Sequence, residues 1–145
     1  YTHADLQTDI KDVLKAFNIF NGCNDKNVLV KGLRKKRSLF DAFFTLAMST
    51  LLSFIFRKKL FDIHGQPNLF NKKMLSNINY LPNDFSIDTY LMIIAKKKQF
   101  NIMRFDVFFR QRMHGVGNNE GIAQKILHSL RIILSSLNML IYGKF

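Results

Sequence analysis

The chain has 145 residues and fits a single ordinary domain. Hydrophobic residues make up 48% of it, 15 phenylalanines among them, which supplies a core and excludes a disordered tail. The formal net charge of +12 points to anionic partners: nucleic acid, phosphorylated small molecules or anionic lipid. The single cysteine, Cys23, excludes an internal disulfide. The richness in Lys, Asn, Ile and Phe also reflects coding bias, so part of the charge is ordinary solvated surface. With no initiator methionine and no signal peptide, the sequence reads as a fragment or a processed piece.

Thr8 or Asp9 caps a first helix whose apolar positions Ile10, Val13, Leu14 and Phe17 follow three-four spacing. "NGCNDKN" ends it, "NVLV" over 27–30 reads as a short buried strand, and Gly32 opens a loop carrying "RKKR" at 34–37. The apolar run 39–56 follows, bracketed by basic clusters. Asp41, Thr45, Ser49 and Ser53 recur every fourth residue in it and form one polar stripe, which favours an amphipathic helix over a full membrane span. Such a helix either packs on the domain or a partner, or lies in a membrane interface with basic anchors at both ends.

"DIHGQP" over 62–67 is a polar turn before a short apolar stretch and a helix start. Asp84 or Ser86 caps the next helix, with Tyr90, Leu91, Ile93 and Ile94 as its buried side, and "FNIMRFDVFF" reads as a strand. "RQRMHGVGNN" is a basic, glycine-containing loop. The final segment is a helix with one wide apolar face of Ile126, Leu127, Leu130, Ile133, Leu134, Leu137, Leu140 and Ile141. The order of elements implies an α/β or α+β fold with a thin sheet.

Asp5 sits at the expected end of a strand, where open α/β sheets place ligands, and one carboxylate there can hold Mg²⁺ or Mn²⁺. The plainer reading is an aspartate at a helix start. Asp88 is a first-turn acidic residue or a base. Arg110 and Arg112 offer forked donors suited to diphosphate, and Gly115 and Gly117 let backbone N–H groups approach an anion; a solvated basic loop is the alternative. His3, His64, His114 and His128 lack zinc spacing, Cys23 has no evident histidine partner, and no nucleic-acid-binding motif is present.

Taken in order, these stretches resemble the second half of a family 2 glycosyltransferase with the GT-A fold, nearest to the polyprenyl-phosphate sugar transferases. "HADLQTD" is similar to that family's acidic strand-end motif, with His3 where the first aspartate usually stands. "NVLVKGLRKKR" resembles its strand and basic loop, and "DIHGQPNLFNKKML" its glycine-containing turn. "PNDFSIDTYLMIIAKKKQFNIMRFDVFFRQRMHGVG" resembles the acidic helix, returning strand and final arginine-glycine motif, with Gly117 where serine is usual.

The resemblance implies that residues 1–120 form the C-terminal half of a catalytic domain and 121–145 an amphipathic C-terminal helix. It implies a metal-assisted, inverting sugar transfer from a nucleotide-diphospho-sugar donor to a lipid-phosphate or saccharide acceptor, at the cytoplasmic face of a membrane. Asp5 would then hold Mg²⁺ or Mn²⁺. Arg34, Arg110, Arg112 and Gly115 would contact the donor diphosphate, and Asp62, Gly65 and Gln66 would lie on the acceptor side. Asp88 would serve as base toward a hydroxyl acceptor, or would orient groups if the acceptor is an already ionised lipid phosphate. Two rival expectations are a non-catalytic remnant that docks on a membrane or partner, and a basic module binding nucleic acid, which would show a steep salt dependence.

Overall fold

A computed structural model describes residues 1–2, 9–78, 80–108 and 121–143. The chain is α/β. In order it forms helix α1 (Ile10–Gly22), strand β1 (Val28–Lys35), helix α2 (Leu39–Phe56), strand β2 (Asn68–Phe70), a 3₁₀ turn (Lys72–Leu75), helix α3 (Ile87–Lys97), strand β3 (Asn101–Phe108) and helix α4 (Ile122–Ile141). The three strands make one mixed sheet in the order β2-β1-β3. β1 runs parallel to β3 and antiparallel to β2.

Local chemistry sets the helix starts. The Asp9 carboxylate accepts the Lys11 N–H at 2.9 Å and opens α1. Ser38 Oγ accepts the Asp41 N–H at 3.1 Å and opens α2, which closes on Arg57 in the left-handed region (φ 50°). At α3, Ser86 holds the cap position without a side-chain cap bond, while Asp84 Oδ1 accepts the Ser86 N–H at 2.9 Å.

The strand expected over 27–30 is longer. β1 continues through Gly32 to Lys35, because each residue from Val28 to Lys35 has a register partner on β3 from Asn101 to Phe108. Gly32 is therefore a strand residue and not the start of a loop. Its role is steric: a Cβ there would stand 2.0 Å from the Gln66 carbonyl oxygen, and one on Gly65 would stand 2.0 Å from the Gly32 carbonyl oxygen. These glycines let β1 and the turn before β2 touch backbone to backbone, with the Gly32 N–H donating to Pro67 O at 3.0 Å.

Alternation along β1 sorts two cores. Val28 and Val30 face α1 and pack with Ala16, Ile19 and Phe20. Leu29 faces the opposite layer, where α3 is buried along its length from Asp88 to Ala95 and meets Leu52, Phe56, Ile132 and Met139. Lys31 follows Leu29 by two residues and so points into that same layer.

The amphipathic helices, whose facing the sequence leaves open, turn polar and small residues inward. The polar stripe of α2 faces the protein. Ser49 is buried, Thr45 Oγ1 accepts from Arg37, Asp41 pairs with Lys125 of α4 at 2.7 Å, and Ser53 Oγ accepts the Leu60 N–H at 2.9 Å. Leu39, Phe43, Leu46 and Phe54 point outward. In α4 the buried face is Ser129, Ile132, Ser136 and Met139, while Ile126, Leu127, Leu130, Leu134, Leu140 and Ile141 of the wide apolar face are exposed. α1 behaves alike: Asp12 and Ala16 are buried, and Ile10, Leu14 and Phe17 are exposed. The inward faces mix hydrogen-bonded polar side chains with a few core residues, Leu52 and Phe56 on α2 and Ile132 and Met139 on α4, and the remaining apolar rows stay outside.

Candidate functional site

The turn between α2 and β2, the middle of β1 and the start of α3 meet in a polar cluster beneath the sheet edge. Asp62 begins the turn with φ 37°, and its O accepts the Gly65 N–H at 3.2 Å. Its carboxylate is clasped by Arg34. Oδ1 receives Nε at 2.8 Å and Nη2 at 2.5 Å, while Oδ2 receives the Arg34 backbone N–H at 2.9 Å. Burial alone would raise the Asp62 carboxyl. The charge and hydrogen bonds of Arg34, joined by the charge of Arg104, outweigh it and hold the group below the ordinary carboxylate range. Arg104 of β3 also donates to the carbonyls of Phe61 and Asp62, which ties the turn to the far side of the sheet.

The second half of the turn carries His64, Gln66 and, after the cis Gln66–Pro67 bond, Asn68. All three reach the Asp88 carboxylate in the first turn of α3. Gln66 Nε2 donates to Asp88 Oδ1 at 2.8 Å, Asn68 Nδ2 approaches the same oxygen at 3.4 Å, and His64 Nδ1 lies 3.2 Å from Oδ2. Lys31 completes the group from β1, donating to Gly65 O at 2.8 Å and Asn68 Oδ1 at 2.6 Å. Asp88 is 1% exposed, whereas the His64 side chain keeps 27%. The pair has the form of a buried carboxylate that orients a more open imidazole.

Burial pushes the Lys31 ammonium down to about 8, against the pull of Asp88 and with a smaller push from Arg104. The Tyr1 phenol is moved up to about 12, by burial first and by the Asp88 charge second. Asp62 is thus paired directly with Arg34, whereas the Lys31 charge acts on Asp88 across the intervening Asn68 and Gln66 amides.

Of the residues singled out from the sequence, Arg34, Asp62, Gly65, Gln66 and Asp88 converge here. Arg34 arrives as the partner of Asp62, which is a structural use of a guanidinium expected on phosphate. Asp5, Arg110, Arg112 and Gly115 lie outside the described residues. Among the described residues no group of three or more His, Cys, Asp or Glu side chains could hold a metal ion. Asp62 is engaged by Arg34, and Asp88 by Gln66, Asn68 and His64, so these carboxylates do not form a ready divalent-metal pair.

Sequence reasoning missed Lys31, Asn68 and Arg104. Lys31 carried a signal, since an alternating strand puts it on the Leu29 face. His64 stands out in the sequence only as a member of the polar turn and as a histidine without zinc spacing. No family model, curated protein or solved structure matches this chain.

Proposed function

We propose that the chain is part of a metal-assisted, inverting glycosyltransferase of the GT-A type, acting on a nucleotide-diphospho-sugar and a lipid-phosphate acceptor. The observation that carries this reading is the convergence of Arg34, Asp62, Gly65, Gln66 and Asp88, far apart in sequence, in one polar cluster between β1, the 62–67 turn and α3. The resemblance to family 2 transferases gives those stretches their roles. The reaction breaks the bond between the anomeric carbon and the diphosphate, whose oxygen keeps the electron pair. The acceptor oxygen forms the new bond from the opposite face.

An ionised phosphate acceptor has no proton to lose, so it suits a carboxylate that is buried and fully engaged. Asp88 then orients His64 and the turn instead of removing a proton. Arg34 and Asp62 set the shape of the turn, and donor diphosphate falls to Arg110, Arg112 and the backbone at Gly115. A divalent ion held through Asp5 would offset charge on the leaving diphosphate. The membrane-bound acceptor fits the outward apolar rows of α2 and α4, between the exposed basic positions Lys35, Lys36, Arg57 and Lys59.

The test is transfer of labelled sugar from a panel of nucleotide-diphospho-sugars to a polyprenyl phosphate by the full-length protein with Mn²⁺. Asp88→Asn is expected to lower turnover about a hundredfold, the order of loss when a change in a supporting residue shifts the site by about 1 Å. Asp5→Asn is expected to abolish the Mn²⁺ dependence. Product formation with neither donor preference nor sensitivity to these changes would overturn the reading.

A further inference from the structure

The ammonium of Lys31 and the carboxylate of Asp88 are joined through two side-chain amides, and each link has one workable polarity. An ammonium donates three hydrogen bonds and accepts none. Asn68 must therefore turn Oδ1 toward Lys31 Nζ, 2.6 Å away, because the reversed amide would set donor against donor. That choice aims Asn68 Nδ2 at Gln66 Oε1, 2.8 Å away, and toward Asp88 Oδ1 at 3.4 Å. Gln66, with its oxygen occupied as acceptor, donates through Nε2 to Asp88 Oδ1 at 2.8 Å. The donors thus meet one oxygen of Asp88, and Oδ2 faces His64 Nδ1.

Lys31, Gln66, Asn68 and Asp88 are each about as buried as the core leucines, at 1% exposure, so solvent is poorly placed to stand in for any member. The Asp88 carboxylate, an acceptor only, imposes the same direction from the far end, so Lys31 and Asp88 agree on it, and without Lys31 the Asn68 Oδ1 would be left buried without this donor. Of the charges around Lys31, Asp88 acts most strongly on it, ahead of Arg104, Asp62 and Arg34. The geometry points to Lys31 as a positioning residue: it anchors the Asn68 end of the Asn68–Gln66 relay and so steadies the Asp88 carboxylate that faces His64. The kinetic consequence rests on the sugar-transfer reading; the relay itself does not.

The experiment follows the side-chain amide protons of Asn68 and Gln66 by ¹⁵N NMR in the full-length protein, beside steady-state transfer. Wild type should give one slowly exchanging set for each amide. Lys31→Met should speed exchange with water about tenfold or split the signals, and lower kcat about tenfold while KM for the donor stays within about twofold, as loss of an oriented group does. Lys31→Gln keeps an N–H donor for Asn68 and should restore part of both. Unchanged amide signals or unchanged kcat in Lys31→Met overturns the proposal. If that variant fails to fold, wild-type amides that exchange fast or in two sets overturn it equally. A wild-type protein that transfers no sugar sinks the transferase reading alone, because the amide signals still judge the relay.

Discussion

Lys31 shows how one side chain ties the sheet to the site, and its titration gives that tie a measurable sign. Its folded value of about 8 lies below the ordinary 10.5, because burial disfavours the charged form. Below about pH 8 the ammonium is charged in both states and the folded protein carries the whole penalty. Between the two values the unfolded chain binds more protons, so folding stability rises with pH. The stability difference between wild type and Lys31→Met should therefore shift in favour of wild type by about 2 kcal/mol from about pH 7.5 to about pH 10. Urea titrations of both proteins across that range check it. A flat difference would mean that Lys31 is solvated or already neutral. The Asp62–Arg34 clasp has the same slope in the acid range: its carboxyl is also held low, so it contributes stability above the ordinary carboxylate value and loses it as pH falls through the folded value.

Helices α2 and α4 carry the same lesson one level up. In α2 the four-residue recurrence of Asp41, Thr45, Ser49 and Ser53 was legible, and so were the helix bounds at Leu39 and Phe56. The direction of the stripe was not. Hydrophobic periodicity locates a face without saying which side of it meets the protein, and here the hydroxyls share the inward side with Leu52 and Phe56. Ser53→Ala should cost about 1–2 kcal/mol, because the buried Leu60 N–H loses its acceptor. Phe54→Ser on the outward row should change stability by less than about 0.5 kcal/mol. Chemical unfolding of the two variants decides it, and the reverse ranking would restore the apolar row to the core. The Asp62, Gly65, Gln66 and Asp88 stretches could be picked from the sequence for their residue types. Their joining through Lys31 and Asn68 could not, since it depends on β1 running on through Gly32 and on two backbones touching at Gly32 and Gly65.

At the scale of the whole molecule, three helices turn apolar rows outward while the strands and α3 hold the core. The rows on α2 and α4 lie on helices that pack together, joined by Asp41 and Lys125, whose ammonium also sits 5.4 Å from the Phe40 ring centroid. α2 is long and apolar enough to cross a membrane by length and composition. A span, though, would strip Asp41 of Lys125 and set the Thr45, Ser49 and Ser53 stripe against hydrocarbon, an unfavourable exchange. An interfacial position leaves those polar groups on the protein side and the phenylalanines toward lipid, with basic residues at both ends of the helix against anionic headgroups. Vesicles rich in phosphatidylglycerol should therefore pellet the full-length protein, neutral phosphatidylcholine vesicles much less. The double change Phe43→Ser with Phe54→Ser should weaken binding at least tenfold without lowering stability, since each buried aromatic supplies roughly 1.5–3 kcal/mol. High salt should weaken the wild type only in part, because the apolar contribution is not screened. Equal binding by wild type and the double variant would leave charge alone as the attraction and remove α2 as the docking face.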